Sequence, residues 1–277
     1  MLLSVTKPGI IFGNLITVTG GYFLGAEGHG QILTYLATIV GISLIIACGC
    51  VFNNFIDRDI DKLMERTKNR PSAQGLISGK HLILFAVVLG VFGTLDLFYF
   101  TNILTMSVAL VGLFFYVVVY TLWAKRRSVY GTLVGSISGA IPPVVGYCAA
   151  TNQLDLCAAL LFIILCFWQM PHSYAIGIFR LKDYTAAGIP LLPVKKGIAR
   201  TKISMMLYIV GFIVVATLPT VFGYTGVVYL VFTTLLGVTW FVLGLKGFKA
   251  QEDGPWAKKM FFFSLIIIMA ISFLMSI

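Results

Sequence analysis

Charge is what this sequence has least of. Only 11% of its 277 residues are Asp, Glu, Lys or Arg, and only 10 are acidic, against roughly a quarter charged in an ordinary soluble domain. With 59% of the residues hydrophobic, too few polar groups remain to cover a water-facing surface, and a soluble fold is excluded. Long polar stretches are also missing, so there is no room for a separate aqueous domain and residues 1–277 read as one unit. Cysteine occurs five times, as Cys48, Cys50, Cys148, Cys157 and Cys166, in or beside apolar runs and without paired ligand spacing. That excludes a zinc module or a disulfide-stapled scaffold, and the thiols read as buried and reduced.

Apolar runs fill the space left by these absences. Nine can be marked, at 10–24, 32–52, 81–99, 103–123, 130–150, 156–178, 203–222, 227–245 and 260–277. A helix needs about 20 such residues to cross about 30 Å of hydrocarbon, so the expected fold is an all-α integral membrane protein with nine transmembrane helices in one bundle. The first run follows Lys7-Pro8 with no small-residue cleavage site behind it, which favours a retained helix over a removed signal peptide.

Twenty Lys and Arg against ten acids give a net charge of +10. On a soluble protein such an excess suggests nucleic acid, but here position governs its meaning. Lys7 precedes the first helix, and every other basic residue falls in connection 2–3, 4–5, 6–7 or 8–9. The opposite side carries only Glu27, His29, Asp96 and Asp155. The positive-inside rule then places the N-terminus in the cytoplasm and the C-terminus outside. The lipid bilayer, rather than nucleic acid, is the partner this charge implies.

The acids are the strongest functional signal. Asn53, Asp57 and Asp61 are spaced i, i+4, i+8 at the end of the second run, with Asn54 three residues before Asp57. On one helix they form an oxygen ladder about 12 Å long on one side. Such a set suits Mg²⁺, which takes a few carboxylates and completes its shell with water and substrate phosphates. Ionisable groups at membrane depth are costly and by default mark function. The competing reading is a solvated helix end whose acids pair with Arg58, Lys62 and Arg66. Downstream, Arg66, Lys68 and Arg70 lead into Pro71; carboxylates followed by guanidinium groups suit a metal-bound diphosphate.

A second cluster ends the sixth run. His172 follows Pro171 within apolar surroundings, and Arg180, Lys182, Asp183 and Tyr184 come two to three turns later. Proline disturbs the helix hydrogen bonding there, and histidine is the commonest protein ligand for metals and haem. A third segment, Ser136 to Pro143 with its small residues and paired prolines, reads as close helix packing or as a kink that makes room for a ligand, with packing the favoured reading.

Together, Asn53 to Asp61, Arg66-Thr67-Lys68-Asn69-Arg70-Pro71, Pro171-His172, Arg180 to Tyr184 and Ala187 to Pro193 resemble the intramembrane aromatic prenyltransferase superfamily, in its haem-farnesylating branch. The likeness extends over essentially the whole chain, from Thr6-Lys7-Pro8-Gly9 onward. Two departures from the wider superfamily resemble that branch: Asn54 stands where a carboxylate is usual, and Arg180 and Tyr184 fall where a second Asp-x-x-x-Asp would place its acids.

The resemblance implies a bundle around a central chamber open to the cytoplasm, in a bacterial cytoplasmic (inner) membrane. It implies transfer of farnesyl from farnesyl diphosphate to a vinyl group of haem B, a substrate rather than a cofactor, with Mg²⁺ required. Asp57, Asp61, His172 and Asp183 would be the catalytic residues. Asn53, Asp57 and Asp61 would hold the metal, and Asn53, Asn54, Arg66, Lys68, Arg70, Arg180 and Lys182 the diphosphate. His172 would face haem as an axial ligand or as a base orienting water. The product would pass to a terminal oxidase or a haem-modifying enzyme. A quinone precursor such as 4-hydroxybenzoate is the alternative acceptor, and a cation transporter the alternative of another class.

Overall fold

In the computed structural model, which describes residues 2–276, the chain is helical and no strand occurs among those residues. Among the described residues, nine helices are long and apolar enough to cross a membrane: α1 Pro8–Ala26, α2 Ile32–Ile56, α3 Gly79–Phe100, α4 Ile103–Arg127, α5 Gly131–Thr151, α6 Leu156–Phe179, α7 Ile198–Val221, α8 Val227–Lys249 and α9 Asp253–Leu274. The all-α, multi-pass membrane architecture is as expected, and each helix coincides with one apolar run. The last run was drawn from 260 to 277, and Ile277 lies outside the described residues; α9 begins seven residues earlier, so Lys258 and Lys259 sit in its first turns.

The helices close into a ring. α2 packs on α3, α1 on α5, α6 on α7 and α9, and α9 returns to α1. Small residues set the closest crossings. A Cβ on Gly21 would stand 2.0 Å from the Pro143 carbonyl oxygen, and one on Gly146 would stand 2.1 Å from that of Val18. α1 and α5 therefore touch backbone to backbone, as small residues permit in lipid. The packing role expected for the Ser136–Pro143 segment is borne out, since Pro142 and Pro143 are buried in this contact.

Two helices depart from simple α geometry. α5 breaks at Ala140, just before the paired prolines. α4 turns into a π-helix over Phe115–Ala124, a widening that apolar periodicity does not reveal and that is frequent at functional sites. The cysteines are free thiols, four of them buried and Cys166 partly so.

Candidate active site

The acid ladder survives in a modified form. α2 ends at Ile56, Asp57 lies outside helical geometry at φ −87° and ψ 1°, and Arg58–Asp61 makes one further turn. The uninterrupted helix expected through Asp61 is therefore broken at Asp57. The i, i+4 relation persists because the Asp57 N–H donates to Asn53 O at 2.9 Å and the Asp61 N–H to Asp57 O at 2.8 Å. Asn53 Nδ2 then donates to Asp57 Oδ2 at 2.7 Å.

Asp57 and Asp61 are each only 1% exposed, and a buried carboxylate requires partners. Cations from two segments, the end of α4 and connection 2–3, supply them. Lys125 Nζ, at the end of the π stretch, donates to Asp57 Oδ2 at 2.5 Å. Arg70 Nη1 donates to Asp61 Oδ2 at 2.8 Å, and Arg126 Nη2 lies 3.5 Å from Asp57 Oδ1. Lys7 Nζ donates to Asn53 Oδ1 at 2.5 Å from a residue in left-handed backbone, φ 55°. Burial pushes the Lys7 ammonium down to about 8. Arg126 also grips Asp59 through two 2.7 Å bonds, and these hydrogen bonds hold that carboxyl down to about 2.

Of the basic residues expected at the diphosphate, only Arg70 reaches the acids. Arg66 and Lys68 are exposed, and Lys68 pairs with Glu65 at 2.6 Å. Arg180 and Lys182 are exposed as well, with the Arg180 guanidinium over the Phe179 ring at 5.3 Å. Lys7, Lys125 and Arg126 were missed as site residues. From sequence the basic triplet at the end of α4 reads as topology alone, although its position at the same membrane face as the acids is the available signal.

Asp183 joins the two richest connections: the Glu65 N–H donates to its Oδ1 at 3.0 Å. Ile60, Met64 and Ile189 pack beside this bond with Tyr184, Ala187 and Leu191 against them. The Tyr184 phenol is raised, first by burial and then by Tyr120 of the π stretch, against the pull of Arg66 and Lys125. Here Tyr116 and Tyr120 stack at 6.1 Å, and Thr121 Oγ1 accepts from Asn53 Nδ2 at 3.2 Å.

His172 occupies a separate pocket. Its Nδ1 lies 2.7 Å from Ser264 Oγ, and its ring is held between Trp168, stacked at 4.6 Å, and Phe261 at 4.9 Å. Among the described residues, no hydrogen bond or ion pair joins it to the acids.

The donor set suits a hard divalent cation. Asn54 Nδ2 donates to Val5 O at 2.6 Å, while Asn54 Oδ1 and Asp57 Oδ1 are buried acceptors without a hydrogen-bond partner. No three His, Cys, Asp or Glu side chains converge among the described residues. Two carboxylates with amide oxygens match an ion that keeps part of its shell for phosphate and water.

Comparison with known proteins fits this geometry. The model of the UbiA prenyltransferase family matches residues 14–266. A protoheme IX farnesyltransferase of Yersinia pseudotuberculosis is 54% identical over 275 residues, covering 99% of this chain and 93% of the relative. One from Sodalis glossinidius is 53% identical over 276 residues, with 99% and 93% covered. Among solved structures, a digeranylgeranylglyceryl phosphate synthase superposes with TM-score 0.80 at 17% identity, covering 98% of this chain and 96% of that one. A UbiA homologue from Archaeoglobus fulgidus bound to DMAPP and Mg²⁺ gives 0.72 at 15%, with 99% and 98% covered. Such low identities speak for the fold alone, but the family model and the close relatives run nearly end to end, and the chain belongs to the UbiA prenyltransferase family.

Proposed function

We propose that this chain transfers a farnesyl group from farnesyl diphosphate to a vinyl group of haem B, with addition of water, giving haem O and diphosphate. The observation that carries the donor half is the buried Asn53–Asp57–Asp61 set ringed by Lys7, Arg70, Lys125 and Arg126. The acceptor half rests on relatives more than half identical over almost the whole chain, both named protoheme IX farnesyltransferase. This likeness favours haem over 4-hydroxybenzoate as acceptor, and prenyl transfer over cation transport.

Asp57 and Asp61, with Asn53 and Asn54 oxygens, would hold Mg²⁺, which supplies charge neutralisation for the departing diphosphate. Arg70, Lys125 and Arg126 stand ready to leave the carboxylates, and Lys7 the Asn53 amide, for phosphate oxygens, with Arg66, Lys68, Arg180 and Lys182 at the rim. Fixed cations at that end favour ionisation of the allylic C–O bond, because they are in place where negative charge develops. The vinyl group attacks farnesyl C1, and water captures the resulting porphyrin-stabilised cation and releases a proton. The apolar helices keep water from the farnesyl cation until the new carbon–carbon bond has formed. Asp183 takes part by tying connection 6–7 across the acids.

The chamber opens to the cytoplasm of a bacterial inner membrane, with the N-terminus inside and the C-terminus outside, and haem O leaves for a terminal oxidase or a haem-modifying enzyme. The test is incubation of purified protein with haem B, farnesyl diphosphate and Mg²⁺, read by mass. Haem O is expected; a prenylated product from 4-hydroxybenzoate with none from haem overturns the reading.

A further inference from the structure

Ser264 of α9 grips two aromatic side chains of α6. Its carbonyl accepts from Trp168 Nε1 at 2.9 Å, and its hydroxyl meets His172 Nδ1 at 2.7 Å. The same hydroxyl lies 2.6 Å from Phe261 O. A serine has one hydroxyl hydrogen and two lone pairs. A carbonyl can only accept, so at 2.6 Å the hydroxyl must donate to Phe261 O; two bare oxygens that close would repel. The hydrogen in the contact with His172 must therefore come from the imidazole.

We infer that Ser264 is a positioning residue for His172, fixing it as the Nδ1–H tautomer and presenting the Nε2 lone pair to the iron of haem B. The inference rests on the haem-farnesylating reading above. With Nδ1 committed and both ring faces covered by Trp168 and Phe261, only the Nε2 edge is left for a ligand. Among the described residues, Nε2 has no hydrogen-bond partner and is not among the sealed-off unpartnered atoms. His172 lies seven residues before the end of α6, about 10 Å along the helix, where little water is available to hold the ring. A neutral imidazole whose second nitrogen is anchored to an acceptor is the usual form of a metal-ligating histidine.

Two measurements test this. In ¹⁵N-histidine-labelled protein without haem, the His172 signals, identified by their loss in His172→Gln, should show protonated Nδ1 and bare Nε2; a protonated Nε2 in the native protein overturns the inference even if every Ser264 variant fails to fold. In haem B titrations, Ser264→Ala should shift the Soret band and weaken haem affinity about tenfold, in the range for loss of an outer-shell partner. Farnesyl diphosphate affinity should be unchanged, and Ser264→Thr, which keeps the hydroxyl, should restore the native spectrum. An unchanged spectrum in Ser264→Ala, or Thr as impaired as Ala, overturns the inference. Should the native protein form no haem O, the proposed function falls, whereas the tautomer measurement still decides the role of Ser264.

Discussion

Asp57 is the residue on which most of the site depends. It receives Asn53 and Lys125 on one oxygen and leaves the other without a hydrogen bond. Asp57→Ala should lower haem O formation by at least about 100-fold, in line with loss of a group acting on the departing charge, while haem still binds. Normal turnover in this variant would remove the metal-site argument. Lys7 supports a pH prediction. Its folded value, lowered to about 8 from an ordinary 10.5, means that the free enzyme loses this cation as pH rises through about 8. Because kcat/KM reports ionisations of the free enzyme, kcat/KM for farnesyl diphosphate should fall above that pH. Lys7→Arg should move the falling limb upward, and an unmoved limb would assign it to another group. The same shift has the opposite sign for stability: between the two values the unfolded chain binds the extra proton, so this group's contribution to stability rises with pH there. The acids and amides were legible in the sequence because they sit four residues apart. Lys7 and Lys125 were not, since each reaches a partner many tens of residues away and no local spacing records such a meeting.

At the scale of elements, apolar runs located the membrane helices because each must be roughly as long as the hydrocarbon is thick. Their ends were less legible: α7 and α9 start several residues before the runs do, through first turns that carry Arg200 and Lys202 or Lys258 and Lys259, the charges at which the apolar pattern stops. The π stretch in α4 was invisible, because Phe115–Ala124 is apolar on all sides and carries no period to measure. It matters nonetheless, since it runs directly into Lys125 and holds Thr121 beside Asn53. The α1–α5 crossing is the element contact least tolerant of change. Gly21→Ala adds a carbon 2.0 Å from Pro143 O, so the helices must part. The expected loss is about 1–3 kcal/mol, as for overpacking, seen as a lower Tm in detergent. An unchanged Tm would mean that the two helices are free to separate.

The whole molecule is ordered by one asymmetry, basic residues at one end and almost none at the other. With the native cysteines replaced, a cysteine introduced at Gln153 should react with an impermeant thiol reagent added outside intact cells, and one at Lys195 should not. The reverse pattern would invert the topology. The asymmetry was fully legible, since it needs only the order of runs and charges. The joining of connections 2–3 and 6–7 through Glu65 and Asp183 was not, because it depends on how the ring of helices closes.

That closure bears on how the protein is made. Gly20 of α1 lies so near Ser272 of α9 that an added Cβ would stand 2.7 Å from the Ser272 carbonyl oxygen, yet roughly 250 residues of synthesis separate the two, a very long-range contact for any fold. During translation α1 enters the bilayer long before its neighbour exists, and lipid must fill the place that α9 will take. α9 therefore closes the bundle against the first helix to enter the bilayer, and a chain interrupted before α9 would leave the faces of α1, α6 and α8 that it covers open to lipid.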